Sequence, residues 1–176
     1  MEMSFAIQLV GIAGTLLYFV SYQCKTNRNL FRVQCMSYLC YTAHLLLLGA
    51  LTGGLSYIVN TIRSLFLASK WKFAKGRGMC AAVCLAQLAV LLLTWSGPLS
   101  LLPVMANIAS TIGGYTHDAR KIRYVGIFIN SPLWMTYDFL VGSCAGVLDE
   151  GISILSMVIS LIRFREKQTA GMPPKE

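Results

Sequence analysis

Charge is scarce in this chain of 176 residues: only 12% are Asp, Glu, Lys or Arg, about half the share usual in a soluble domain. Acid is scarcer still. Seven Asp and Glu stand against 15 Lys and Arg, which leaves a net charge of +8. A soluble domain of this size needs more polar cover, and a nucleic-acid binder needs a hydrophilic face to carry its basic patch. Disorder is excluded for the opposite reason, because a chain with 56% hydrophobic residues collapses. Histidine is limited to His44 and His117, and none of the six cysteines stands in a C-x-x-C pair. Neither a zinc site nor a disulfide framework is therefore written here, and no cofactor or metal is expected. The cysteines lie in or beside apolar runs and read as small hydrophobes. What remains is an all-α integral membrane protein in contact with the lipid bilayer, whose positive charges record topology.

Apolar runs occupy residues 5–22, 31–49, 55–69, 79–95, 101–115, 124–142 and 147–164. Each is close to the ~17–25 residues a spanning helix needs. Tight turns are expected at 50–54 and 143–146, and Ser96-Gly97-Pro98 separates the fourth run from the fifth. The first run lacks the basic flank of a cleaved signal peptide. Lys25, Arg28 and Arg32 follow run one. Lys70, Lys72, Lys75 and Arg77 follow run three, and Arg120, Lys121 and Arg123 follow run five. Arg163, Arg165, Lys167 and Lys175 end the chain. The other connections carry no Lys or Arg. Seven spans thus put 14 of the 15 basic residues on one side, which the positive-inside rule makes cytoplasmic. The N-terminus is expected outside and the C-terminus inside, with 165–176 as a polar cytoplasmic tail stiffened by Pro173-Pro174.

A shift of 93 residues brings the two halves into register: Gly49 falls on Gly142, Gly53 on Gly146, and Lys70 and Lys72 on Arg163 and Arg165. The expected layout is a single membrane domain of three helices (5–70), a linker helix (79–95) and three helices (100–164). Because three is odd, the linker must cross the membrane for both triplets to run the same way, a parallel repeat. Polar residues inside the spans align under the same shift. Ser56, Asn60 and Arg63 share one face of span three, and Asp149, Ser153 and Ser156 the equivalent face of span seven. Such groups face protein or a water-filled cavity, either as helix glue or as a solute site. Asn107 lies mid-span five. Arg63, the one basic residue off the cytoplasmic side, either snorkels, pairs with an acid or meets an anionic solute. His44, Asp149 and Glu150 near the outer ends are proton-coupling candidates, with interface hydrogen bonding as the plainer role for the histidine. Pro103 and Pro132 are candidate hinges.

The run His44-Leu45-Leu46-Leu47-Leu48-Gly49, then Asn60-Thr61-Ile62-Arg63, resembles the bacterial inner-membrane YgjV family. So do Leu101-Leu102-Pro103-Val104 with Ser110-Thr111, Gly142-Ser143 with Glu150-Gly151, and Leu161-Ile162-Arg163-Phe164. That resemblance implies a multi-pass protein of the bacterial inner membrane. The three-one-three layout also looks like the SWEET and PQ-loop transporters, in which Asn60 fits the third-helix asparagine and Trp134 a pocket aromatic. Ser153 stands in place of the second-half partner, and the first-half prolines are absent. The expected function is transport of a small solute, with an anion as one candidate class, by alternating access between the triplets. Asn60, Arg63, Asn107, Trp134 and Ser153 are the expected binding residues. A membrane sensor or interaction protein is the alternative. Catalysis is not expected, since no nucleophile stands beside a base, and a retinal pigment lacks its lysine in span seven.

Overall fold

The computed structural model describes residues 2–170. The proline pair Pro173-Pro174 and Lys175 lie outside the described residues, as do the side chains of Arg165 and Lys167. Every regular element is helical: α1 Glu2–Gln23, α2 Asn27–Leu47, α3 Leu51–Ala68, α4 Arg77–Leu93, α5 Leu101–Tyr115, α6 Ala119–Val125, α7 Ser131–Leu140 and α8 Cys144–Ala170. A π-helical turn, Gly126–Asn130, joins α6 to α7 without a break, so the described residues form seven rods. α8 runs past residue 165, so the first part of the expected tail is helix.

Two connections are tighter than the composition suggests. α3 starts at Leu51 and α8 at Cys144, so the turns lie at residues 48–50 and 141–143 rather than at 50–54 and 143–146, and Gly53, Gly54 and Gly146 are helical. Gly49 and Gly142 make this possible with φ of 76° and 74°, a left-handed conformation that only glycine adopts without strain. The same two bonds close both turns. Ala50 N–H donates to Leu45 O at 2.9 Å and Gly49 N–H to Leu46 O at 3.1 Å; Ser143 N–H donates to Asp138 O at 2.8 Å and Gly142 N–H to Phe139 O at 3.3 Å. This is the Schellman pattern. A Cβ on Gly142 would meet nothing within 4 Å, so Gly142→Ala carries a purely conformational cost, expected at ~1 kcal/mol. Gly142→Asn should cost less, which chemical denaturation of the purified protein would measure.

The helices close a ring. α1 packs on α2, α2 on α3, α3 on α5, α5 on α6 and α7, α7 on α8, and α8 back on α1, with α4 set against α3 and α5. At one end His44 reaches Ser143 (3.0 Å) and Thr52 reaches Thr94 O (3.1 Å). At the other, Asn27 reaches His117 O (2.9 Å), Tyr115 reaches Ala74 O (3.2 Å) and Arg28 reaches Ala68 O (3.0 Å). The second end carries the basic connections. There Asp118 caps α6, accepting from Arg120 N–H at 2.8 Å and Lys121 N–H at 3.3 Å. Those backbone donors hold its carboxyl below the ordinary range.

Polarity runs inside out. Leu16, Leu39, Leu92, Phe128 and Leu155 are exposed on the outer surface, while Ser37, Ser56, Asn60, Gln87, Asn107 and Glu150 are buried. That is the arrangement expected of helices in a lipid solvent, where polar side chains face one another. Among the described residues two segments suffice to cross a membrane by length and composition alone, Ala6–Gln23 of α1 and Cys144–Arg163 of α8.

Candidate functional site

α3, α4, α5 and α7 converge on Asn107. Its Oδ1 accepts from Asn60 Nδ2 at 2.7 Å and from Trp134 Nε1 at 3.1 Å. Asn60 Oδ1 accepts in turn from Gln87 Nε2 at 3.2 Å, and Gln87 also donates to Ser56 O at 3.1 Å. Three of the expected binding residues, Asn60, Asn107 and Trp134, are therefore one hydrogen-bonded unit. Gln87 is a fourth member that sequence reasoning missed. Its signal was available, since it is the one amide in the apolar run 79–95. The unit is not fully satisfied: Asn107 Nδ2 has no partner among the described residues, although it is buried. An unpaired buried amide group costs ~1–3 kcal/mol.

Trp134 opens a file of aromatic rings that runs through the core. It lies 4.6 Å from Tyr57, which is 5.3 Å from both Tyr41 and Tyr38; Tyr38 lies 5.6 Å from Tyr18, and Tyr18 5.2 Å from Tyr22. The hydroxyls form a chain on the side of the basic end. Arg63 Nη2 donates to Tyr38 Oη at 3.1 Å, Tyr38 to Tyr18 at 3.3 Å, and Tyr18 and Tyr22 share a bond at 3.0 Å. The Arg63 guanidinium carbon also sits 5.7 Å from the centre of the Tyr38 ring. Arg63 does not snorkel: it is 2% exposed. Its Nε and Nη1 have no hydrogen-bond partner among the described residues.

The acidic candidates gather towards the hairpin end. Asp149 faces Tyr41, Thr15 and Ser153, and Glu150 faces Ser131. Asp138 on α7 lies beside Ser143. Asp149 Oδ1, Glu150 Oε2 and Ser153 Oγ are buried without a hydrogen-bond partner. Ser153 thus joins the acids rather than the Asn107 unit. His44 is anchored on both sides. Its Nδ1 donates to Ile7 O at 2.8 Å, and its Nε2 meets the Ser143 hydroxyl at 3.0 Å. Ser143 also accepts from Gly146 N–H at 3.0 Å.

The two prolines differ. Pro103 is in the first turn of α5, where a helix has no use for the missing N–H, so it marks a start rather than a bend. Pro132 follows the π turn directly. The widened turn accommodates carbonyls that the proline cannot satisfy, a place where helices commonly bend.

A family described as bacterial inner membrane protein, Imp-YgjV, matches residues 5–168 of the chain. The inner membrane protein YgjV of Escherichia coli (strain K12) is 28% identical over 171 residues, which are 95% of this chain and 88% of that protein. No solved structure matches.

Proposed function

The chain belongs to the Imp-YgjV family of bacterial inner membrane proteins, and from that premise we propose that it carries a small solute across the inner membrane. In this reading seven spans form two parallel triplets, 5–70 and 100–164, with α4 as the linker, the N-terminus outside and the basic end in the cytoplasm. Two features support the repeat. The hairpin turns at Gly49 and Gly142, 93 residues apart, share their bonds donor for donor. The order of neighbours within α1–α2–α3 recurs in α5, α6–α7 and α8. The seams between triplets are then α3 with α5 and α8 with α1. Rocking about them exposes the middle to each side in turn.

The observation that carries the proposal is the Asn107 unit, a buried amide and indole cluster lying across the α3–α5 seam with an unused donor. Polar groups at that depth are costly unless they serve a pathway. Asn60, Asn107 and Trp134 meet the solute when the seam opens. Asp149 and Glu150, with His44 nearby, are the groups placed to couple it to protons, and the π turn before Pro132 is the hinge. No step of catalysis is assigned.

The test is uptake into liposomes by the purified protein, over sugars, carboxylates and vitamins, with and without an inward proton gradient. Saturable uptake of at least one class, absent from protein-free vesicles, is expected. No uptake or exchange across the panel overturns the proposal.

A further inference from the structure

We propose that Arg63 is the subsite for an anionic oxygen group of the solute, a carboxylate or phosphate; this rests on the transport reading and narrows its substrate to anions. The protein supplies its own comparison. Arg123 is as deeply buried as Arg63, each 2% exposed. All three Arg123 nitrogens donate: Nε to Ser160 Oγ at 2.7 Å, Nη1 to Ala119 O at 2.8 Å and Nη2 to Tyr22 O at 3.1 Å. That is how a structural arginine is housed, with its fork spent on fixed acceptors. Arg63 spends one nitrogen on a neutral phenol and leaves Nε and Nη1 without an acceptor. A buried guanidinium left this way loses hydration without compensation. A planar carboxylate or a phosphate is the partner its geometry favours.

Access is placed at the basic end. Arg63 lies five residues before Ala68, the last residue of α3, which is roughly 7.5 Å along the axis. Between α4 and α5 is a cavity of about 410 Å³ whose lining includes Lys75, Arg77, Cys84 and Tyr115. Lys75 and Arg77 put two cations on this lining, a field that concentrates anions at the basic end, while Arg63 itself stands outside the lining.

Thermal unfolding of the detergent-purified protein tests this with sodium phosphate and sodium succinate, against sodium chloride at equal ionic strength. At saturating probe, one of the two should raise the wild-type midpoint by about 2–4 °C. R63Q should lose the shift and R63K keep a smaller one, each variant eluting as a single species. If R63Q fails to fold, R63K carries the test: a shift equal to wild type overturns the proposal. Equal shifts in R63Q and wild type, no shift with either probe, or a shift only on adding phosphatidylglycerol also overturn it, the last because a lipid headgroup is then the ligand. Saturable uptake of a neutral solute with no response to these anions removes this inference and leaves transport standing. An R63Q-sensitive shift with no flux in liposomes does the reverse.

Discussion

Asn107→Leu is expected to destabilise the protein by about 2–4 kcal/mol, although leucine has the same branching and number of heavy atoms as asparagine. One oxygen serves two buried donors, Asn60 Nδ2 and Trp134 Nε1, and the substitution orphans both. Single interhelical hydrogen bonds in membranes average only ~0.6 kcal/mol, because alternative partners are found when one is lost. The alternatives are few here: Asn60 is held on its other side by Gln87, and Trp134 is fixed between Tyr57 and Tyr137. The loss should therefore approach the cost of unpaired groups rather than the average. Trp134→Phe in the Asn107→Leu background removes one of the two orphans and should recover about 1 kcal/mol. Denaturation of the single and double variants in one detergent measures both numbers. An Asn107→Leu loss under ~0.5 kcal/mol would mean that the cluster does not hold the α3–α5 seam. Solute uptake should fall with Asn107→Leu and also with Asn107→Asp, which keeps the acceptor but brings a charge to a site that holds none.

The helical rods were legible because apolar runs alternate with polar connections along the chain, with basic residues at every second connection, although only two of the rods are long and apolar enough to span by that measure alone. The hairpins were legible, but not which glycines make them: Gly53, Gly54 and Gly146 were read as turn residues and lie in helices, while Gly49 and Gly142, read as span ends, take the left-handed φ that a sequence does not announce. Asn60, Asn107 and Trp134 stood out singly. Their union was not visible, because Asn107 and Trp134 lie on α5 and α7, and which faces meet is decided by ring closure rather than periodicity. The tyrosine file was read as apolar content: Tyr18, Tyr38 and Tyr57 count as hydrophobic in composition, and the hydroxyls of Tyr18 and Tyr38 gain meaning only when Tyr38 meets Arg63 and bonds on to Tyr18. The Asn60–Ser153 pairing suggested by the 93-residue shift does not appear as a contact. Ser153 instead lies one helical turn from Asp149 on α8, among the acids at the hairpin end.

Gly11→Val should be strongly damaging, since this buried glycine acts on the seam that closes the ring. A Cβ there would lie 2.6 Å from Ala145 Cβ and 3.0 Å from His44 Nδ1. Neither neighbour can yield cheaply: Ala145 has no rotamer to change, and His44 is held by Ile7 O and Ser143. α1 and α8 must separate. Separation also strains the bond from Ala145 N–H to Gln8 Oε1 at 3.1 Å and the His44 Nδ1–Ile7 bond at 2.8 Å. Overpacking alone costs ~1–3 kcal/mol, and each strained bond adds about 0.5–1.5 kcal/mol, so a total near 3–4 kcal/mol is expected. Gly151→Val is the control: it is a glycine of α8, on the other side of the seam from Gly11, but nothing lies within 4 Å of its added Cβ, so any change should stay within ~0.5 kcal/mol. The pair separates two ideas that a single variant confounds. If both valines are tolerated, α1 and α8 do not meet and the ring is open. If Gly11→Val alone is destabilising and its remaining folded fraction equilibrates solute faster than wild type, the α8–α1 seam is one of the two surfaces that part during transport.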